Sequence, residues 1–442
     1  MECYKKEDLT DSEIEQEAAR IRAACGCEVE SLPFVGAFIW NDAKRGAAGT
    51  IDRHLNSTKL IVEQDQDIEL YGSASNAIPP NDPYFKLQWA LSDKQIDAHI
   101  NAQQGWEEYL TDNQGGDPNG PSTIVAVIDA GVDYTHPDLK DMMWVNPAEI
   151  PNNGKDDDDN GIVDDIHGAN CASSKCTGDP MDIDGHGTHC AGIIGATYDN
   201  GEGIAGLAGP AKGKVKILAC KFGEPKGFPF SAALRCMNYA ISMGATILSN
   251  SWGSPNMAKC WPQILRNTVD QLFVFGAGNG GDDEIGDALT PGCTSMGCCT
   301  RQQNLLCVAA SDPFDKKDAF SNYGKEFVHV FAPGVDIYST WLNVPSTGTS
   351  LDPRYKSSDG TSMACPLVAG LAALIATMHN AIHATEIKTM IENNVNIKDQ
   401  YRDLVSSGGL IDVEKTIRSL KQAKKGLYQI LYYMDYHNHF LF

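Results

Sequence analysis

The sequence predicts an α/β protein, a doubly wound parallel sheet preceded by a small α+β unit. Three observations carry that reading. From about residue 83, short apolar runs rich in β-branched residues alternate with helical stretches. Residues 12–71 run instead helix, strand, helix, strand, and a Gly/Ser/Pro-rich stretch separates the two patterns. Parallel strands covered on both faces read as unbroken apolar runs, whereas half-exposed strands alternate.

The elements follow in order. Ser12 and Glu15 form a capping box, and Ile14, Ala18, Ile21 and Cys25 fall on one helical face, so residues 12–25 are expected as a helix. A strand-like stretch, Val29 to Trp40, comes next, then a Gly/Ala-rich loop, a short helix at 52–56 and a second strand, Lys59 to Glu63. This unit closes near Tyr71, and Gly72 to Asp82, with Ser73, Ser75, Pro79 and Pro80, reads as a linker. Beyond it, Thr123–Ile128, Val215–Lys221, Thr246–Asn250 and Leu272–Phe275 are the expected buried strands. Ser231–Met243, Pro262–Gln271 and the apolar Leu367–Met378 are the expected helices. The predicted organisation is therefore 1–71, a linker at 72–82, a large domain at 83–421 and a tail at 422–442. No internal repeat is seen, and the aromatic-rich end, Leu427 to Phe442, fits no domain pattern.

Composition narrows the function. The 442 residues carry 35 Lys+Arg against 58 Asp+Glu, a net charge of −23. Such a chain is poorly suited to gripping nucleic acid or an anionic membrane by charge. It has no run of apolar residues long enough to predict a transmembrane segment. Met1 to Gln16 is polar and lacks the apolar core of a signal peptide. The 14 cysteines nevertheless suit an oxidising compartment. Cys171 and Cys176 bracket a short loop, and Cys293, Cys298, Cys299 and Cys307 crowd another. Disulfides are expected, with reduced thiols and zinc as alternatives; against zinc, no CxxC pair recurs and no His sits beside the crowd. Secretion is the expected route, with the true start upstream of Met1.

Four segments carry chemistry. Ile124–Asp129 is a buried strand ending in an acid, followed by Ala130 and Gly131. Asp184-Gly-His186-Gly-Thr-His189-Cys190 opens a helix; Phe273-Val-Phe-Gly-Ala-Gly-Asn279 ends a strand; Gly360-Thr-Ser362-Met-Ala-Cys-Pro366 opens the apolar helix. Singly, each is an ordinary cap or turn. Together, acid, His, amide and Ser stand at strand ends or helix starts in the chain order of one known triad arrangement. A Ser at a helix N-terminus faces backbone donors, and it needs a neighbouring base to act as a nucleophile.

A further pattern points to a cation. Asp156-x-Asp158-x-Asn160-Gly161, followed by Asp164 and Asp165, sets oxygen donors at alternate positions around a Gly turn. A hard cation such as Ca2+ gathers six to eight oxygens in this way. Asp156, Asp158, Asn160, Ile162, Asp164 and Asp165 are the candidate ligands, a solvated acidic loop being the alternative. His167 stands where an EF-hand has its bidentate Glu, so the loop is not an EF-hand.

At this point the chain resembles the subtilisin-like serine proteases. DAG at Asp129, HGTHCAG at His186, GAGN ending at Asn279 and GTSMACP around Ser362 match that family's motifs, with FSNYG at Phe320 and APG at Ala332 as flanking matches. The resemblance covers residues 80–421. It implies Ser362 as nucleophile, His186 as general base then acid, Asp129 as its orienting acid and Asn279 as oxyanion-hole amide. His189 is then a packed support, and Cys190 and Cys365 are buried free thiols. Ser251, Trp252 and Gly253 correspond to the edge that pairs with substrate. Ala130, Leu367 and Trp252 depart from the common residues, and Trp252 bears on subsite shape.

The resemblance also implies a second calcium site, from Asp82, Asp138 and Asn200 side chains and the carbonyls of Thr197, Glu202 and Ile204. Residues 12–71 resemble the family's inhibitory propeptide, of ferredoxin-like fold. Counting along Val62–Tyr71 sets autocleavage at Tyr71–Gly72, with Tyr71 in the first subsite and Ile68 in the fourth. The acidic loop is similar to that of protozoan parasite subtilases. The expected molecule is a secreted, calcium-dependent, monomeric serine endopeptidase. It is made as a zymogen, acts on protein or peptide substrates and is inhibited by its own propeptide. A catalytically silent scaffold and a dedicated inhibitor are the alternatives, both disfavoured by four intact catalytic positions.

Overall fold

The first apolar stretch forms two strands, Val29–Leu32 and Ala37–Trp40. The computed structural model describes residues 79–92, 98–111, 122–224, 227–280, 283, 285–343, 352–379 and 382–423, with four short strands and helical positions 19 and 22 before them. The chain forms two units, Met1–Ala74 and Ser75–Phe442.

In the first unit, β1 (Glu2–Cys3), β2 (Val29–Leu32), β3 (Ala37–Trp40) and β4 (Ile61–Val62) form one sheet in the order β2-β3-β1-β4. Every neighbouring pair is antiparallel. The single strand expected over Val29–Trp40 is thus two strands paired antiparallel, from Val29 opposite Trp40 to Leu32 opposite Ala37; the sequence between them holds Pro33, a residue type with no N–H for a ladder. Strand order and direction are those of a split βαβ, ferredoxin-like sheet. The expected helix at 52–56, the linker before residue 79, Tyr71, Gly72 and the tail after residue 423 lie outside the described residues.

The second unit is built on a nine-stranded sheet. Its strands are β5 (Thr123–Asp129), β6 (Gly168–Asn170), β7 (Val215–Lys221), β8 (Ile247–Asn250), β9 (Leu272–Gly276), β10 (Leu305–Ser311), β11 (Val330–Pro333), β14 (Asn396–Ile397) and β15 (Gly409–Leu410). They lie in the order β14-β15-β11-β10-β9-β8-β5-β7-β6, all parallel except β14. β12 (Ile337–Thr340) and β13 (Tyr355–Ser358) form a separate antiparallel pair. The predicted strands all lie in this sheet, and the reversal of chain order between β5 and β8 puts a crevice at their carboxyl ends.

The helices of this unit are α1 (Ala102–Thr111), α2 (His186–Gly195), α3 (Phe230–Ser242), α4 (Trp261–Asn267), α5 (Thr361–Met378) and α6 (Ala384–Asn393). α5 packs against β8, β9, β10 and α2. It is long and apolar enough to cross a membrane, but 89% of it is buried inside this domain. α4 is shorter than expected. The Asn304 amide donates to the carbonyls of Leu265, Thr268 and Gln271, so the chain leaves the helix at Thr268 and turns into β9.

Four disulfides occur among the described residues: Cys171–Cys176, Cys220–Cys236, Cys293–Cys299 and Cys298–Cys307. The bracketing pair and the crowd are therefore oxidised, and Cys220–Cys236 ties β7 to α3. Cys190 and Cys365 are buried free thiols, and Cys260 is an exposed one.

Candidate active site

β5 delivers Asp129 to the crevice with its carboxylate buried. Gly131 follows with φ +107°, and a Cβ there would lie 2.4 Å from the Pro180 carbonyl, so only glycine lets the chain turn away. Asp129 Oδ1 accepts from the Ala130 N–H at 2.7 Å and from His186 Nδ1 at 2.8 Å.

His186 is the first residue of α2, and that start is fixed by Asp182, a residue the sequence reading missed. Asp182 is buried; it accepts from the N–H groups of Asp184, Gly185 and Thr188 and from the Thr188 hydroxyl. Its signal was visible as an acid four residues before a helical His, but acids in Gly-rich turns are too common to single out. The His186 side chain is 34% exposed and that of Asp129 6%, so the pair has one face to the crevice. The Asp129 charge pushes the imidazole pKa up to about 9. His189, one turn along, behaves oppositely. It is buried, hydrogen-bonds through Nε2 to the Lys356 carbonyl at 3.0 Å, and burial lowers its pKa to about 3.

Ser362 stands in the first turn of α5, after Gly360 at φ +146°. Its hydroxyl donates to the Ser251 carbonyl at 3.0 Å, while the Ser251 hydroxyl donates to the Ser362 carbonyl at 2.8 Å. Asn279 is anchored by its oxygen, which accepts from the Thr361 N–H at 3.0 Å and the Thr361 hydroxyl at 2.8 Å. Its Nδ2 is left beside Gly360, where a Cβ would come to 3.3 Å of it. The amide therefore presents N–H groups to the turn that carries Ser362. Asp129 thus ends β5, Asn279 follows β9, and His186 and Ser362 stand in the first turns of α2 and α5.

Ser251, Trp252 and Gly253 continue from the end of β8 beyond its ladder. Trp252 is turned inward: its Nε1 donates to the Ile128 carbonyl at 2.9 Å, and its ring packs on Phe222 and Phe275 at 5.0 and 5.2 Å. It forms one wall of a pocket of about 320 Å³ lined by Phe222, Phe228, Phe230, Met257 and Met296.

The acidic loop divides its carboxylates between two tasks. Oxygens of Glu149, Asp158 and Asp165 lie within 4.8 Å of one another. Asn146 Nδ2 donates to Asp158 and Asp165, as does Asn160 Nδ2, and the Tyr239 hydroxyl donates to Asp165 at 2.6 Å. Burial raises the Asp165 pKa. Glu149 Oε2 is buried without a partner, an orphaned oxygen that suits a cation. Asp156 instead accepts from the N–H groups of Asn160 and Gly161, and Asp164 from those of Asn153 and Gly154. The Ile162 N–H donates to Asn160 Oδ1, and its side chain is buried. Glu149 was missed because it precedes the alternating run.

The second set also converges. Buried Asp82 accepts from the N–H groups of Asp199 and Asn200. Asp138 accepts from Asn200 Nδ2 and the Ile204 N–H, each at 2.9 Å, and burial pushes its pKa up to about 7. Thr197 Oγ1 is buried without a partner, and the Glu202 carboxylate pairs with Arg354 at 2.8 Å.

Comparison with known proteins agrees with this geometry. The Subtilase family (Peptidase_S8) profile matches residues 120–410. Subtilisin-like protease 1 of Plasmodium berghei is 30% identical over 94% of this chain and 69% of its own length. Its Plasmodium vivax namesake is 28% identical over 79% of this chain, which spans about half (53%) of that protein. Thermitase of Thermoactinomyces vulgaris is 32% identical over 72% of this chain and 91% of its own. A solved protease of Pseudoalteromonas arctica shares the fold, with a TM-score of 0.57 at 22% identity over 78% of this chain and all of its own. An acid, an imidazole and a serine brought to one sheet edge, on a chain matched through both the profile and its relatives, make it a member of the subtilase family of subtilisin-like serine endopeptidases.

Proposed function

We propose that the chain is a secreted, calcium-dependent serine endopeptidase made as a zymogen, with Ser362 as nucleophile. The observation that supports this is the His186–Asp129 contact at 2.8 Å, on a helix whose Cys190, one turn along, meets the Ser362 carbonyl at 3.5 Å. Asp129 holds Nδ1 protonated, so Nε2 is the base once the imidazolium has lost a proton, above its raised pKa of about 9. Rotation of the Ser362 hydroxyl off the Ser251 carbonyl brings its proton to Nε2 as Oγ attacks the scissile carbonyl. The proton then passes to the leaving amine, while Asp129 stabilises the imidazolium without taking it. Asn279 Nδ2 and the N-terminal backbone donors of α5 meet the developing oxyanion.

Substrate pairs as an extended strand along Ser251–Gly253, main-chain bonds giving affinity and pockets giving preference. The aromatic and methionine lining beside Trp252 favours an apolar side chain in the fourth subsite, in keeping with Ile68 of the proposed propeptide tail. Residues 1–71 act as the inhibitor, and autocleavage falls at Tyr71–Gly72, leaving 83–421 as the catalytic domain.

Calcium, when bound, supplies charge that relieves repulsion among buried carboxylates. Glu149, Asp158, Asn160 and Asp165 would hold one ion, and Asp82, Asp138 and Asn200, with the carbonyls of Thr197, Glu202 and Ile204, a second. Four disulfides among the described residues support a secretory route. The test is labelling with a fluorophosphonate followed by N-terminal sequencing of the matured protein. The expected results are a label on Ser362 and a new terminus at Gly72; a label elsewhere removes the nucleophile assignment, and a terminus outside residues 66–82 removes the maturation site.

A further inference from the structure

Tyr355 opens β13, is 2% exposed and takes no part in the proton transfers above. Its hydroxyl donates to Asp138 Oδ2 at 3.3 Å, which ties the phenol to the second acid set. Its ring packs edge-on against Tyr84 and His136, each 5.2 Å away. A Cβ on Gly203 would strike both the hydroxyl and Asp138, so the phenol has no room to slide along the set. The next residue meets the catalytic helix: the Lys356 carbonyl accepts from His189 Nε2 at 3.0 Å. On the paired strand, the Ser339 hydroxyl donates to the His189 carbonyl at 2.8 Å, and the Thr340 hydroxyl to the Thr188 carbonyl at 2.7 Å. The register sets Tyr355 opposite Thr340 and Lys356 opposite Ser339. One hairpin therefore grips α2 within a turn of His186, and a single phenol pins that hairpin to Asp138.

We propose that Tyr355 is a positioning residue for the catalytic imidazole, carrying the state of the Asp138 set to His186 through the β12–β13 hairpin. Asp82 and Asp138 are close enough for each charge to act on the other, and like charges push apart unless a counter-charge lies between them. When Asp138 is displaced, the phenol follows it and the hairpin shifts against α2. The start of α5 is anchored separately, by the Gly360 N–H on the Gly334 carbonyl at 2.7 Å and by Thr361 on Asn279. The movement therefore falls on His186 and leaves Ser362 in place. A misplacement of 1 Å costs about 10²-fold in rate, so a shift of a few tenths of an ångström should cost about three- to tenfold. That loss belongs to kcat, because the hairpin acts on the base and not on the strand that pairs with substrate.

The proposal rests on the triad and calcium readings, and the experiment separates them. For the matured enzyme, kcat and KM are measured in excess calcium and in chelator, well below either melting temperature. The expected result is a fall of about three- to tenfold in kcat on chelation, with KM nearly unchanged. Tyr355→Phe keeps the ring and loses the hydroxyl. Its kcat should no longer respond to chelator, while its melting temperature still does. Asp158→Asn, which weakens the loop cluster alone, should keep the wild-type response. Independently of activity, proton NMR of the full chain carrying Ser362→Ala follows the low-field resonance of the His186 Nδ1 proton. That resonance should move between calcium and chelator, and should stay in place when Tyr355→Phe is added. A Tyr355→Phe enzyme whose kcat follows calcium as the wild type does overturns the coupling. So does a response lost in Asp158→Asn, or a wild-type kcat and resonance both indifferent to chelator. Absence of hydrolysis in the wild type strikes the triad reading instead, and the resonance then decides the coupling by itself.

Discussion

The catalytic cluster and the acidic loop are both groups of polar side chains brought close together, yet they are built in opposite ways. Asp129, His186, Asn279 and Ser362 come from distant parts of the chain, and each sits on or beside the end of a regular element. Residues 146–165 are nearly contiguous and carry no helix or strand. In the first group, backbone groups and buried neighbours hold every member: Ala130 holds Asp129, Asp182 starts the helix of His186, Thr361 orients Asn279, and the Ser251 carbonyl accepts from Ser362. In the second, the carboxylates are held mainly by amide side chains and by loop N–H groups. Two like charges about 4 Å apart repel by about 4 kcal/mol at an effective dielectric of 20. A sheet edge thus sets geometry by itself, whereas a cluster of acids relies on a counter-charge.

The sharpest break between the two groups is at the nucleophile. Ser362→Ala should lower turnover by roughly 10⁶-fold, the loss known for this group in subtilisin itself and borrowed here, while leaving the melting temperature within a degree or two of wild type. Purified Ser362→Ala that still hydrolyses peptide at the wild-type rate would end the assignment. Asn279→Ala should cost about 10²–10³ in kcat, again the family's own measured figure, with little change in KM. A loss confined to KM would move Asn279 from the oxyanion to substrate binding.

Acid should act on the catalytic group first. With His186 raised to about 9, the imidazole is protonated at neutral pH, and kcat/KM should climb about tenfold per pH unit towards that value. The linked stability runs the other way. A pKa above the unfolded 6.5 means that the His186–Asp129 pair contributes fully below that pH, and the contribution is lost as pH rises through 9. A pH–rate profile flat from 6 to 9 would contradict the pairing.

Chelation should act on the other group. If calcium is held at 100 times its dissociation constant, its removal costs about 2.7 kcal/mol of stability, read as a lower melting temperature with the chemical step unchanged after calcium is restored. Asp158→Asn and Asp165→Asn should each remove part of this calcium-dependent shift. Asp156→Asn should remove least, because its oxygens already serve the N–H groups of Asn160 and Gly161. Equal effects from all three would mean that the alternating run, and not the Glu149 cluster, holds the ion.

The same contrast explains what sequence could reveal. The triad was legible because each member stands in a short motif of fixed spacing, and the strands were legible because two-sided burial demands unbroken apolar runs. Glu149 and Asp182 were not, since their importance depends on what folds against them. The early end of α4 depends on Asn304, 37 residues beyond Asn267, and local propensity carries no trace of it. Trp252 was read as bearing on subsite shape, but nothing local foretold that its indole bonds to the Ile128 carbonyl while its ring walls a pocket beside Gly253. The hairpin at Pro33 had a local signal that a simple apolar count passes over.

The disulfides carry one last consequence. Their sequence separations are 5, 16, 6 and 9 residues, so each closes a small local ring. Considered as a covalent graph, the catalytic unit is a string carrying two single loops and one interleaved pair, and among the described residues no bridge spans 177–219, 237–292 or 308–423. A single proteolytic nick in any of those intervals therefore leaves two fragments joined by sheet pairing and packing alone. They should travel together in native buffer and separate in detergent even without reductant.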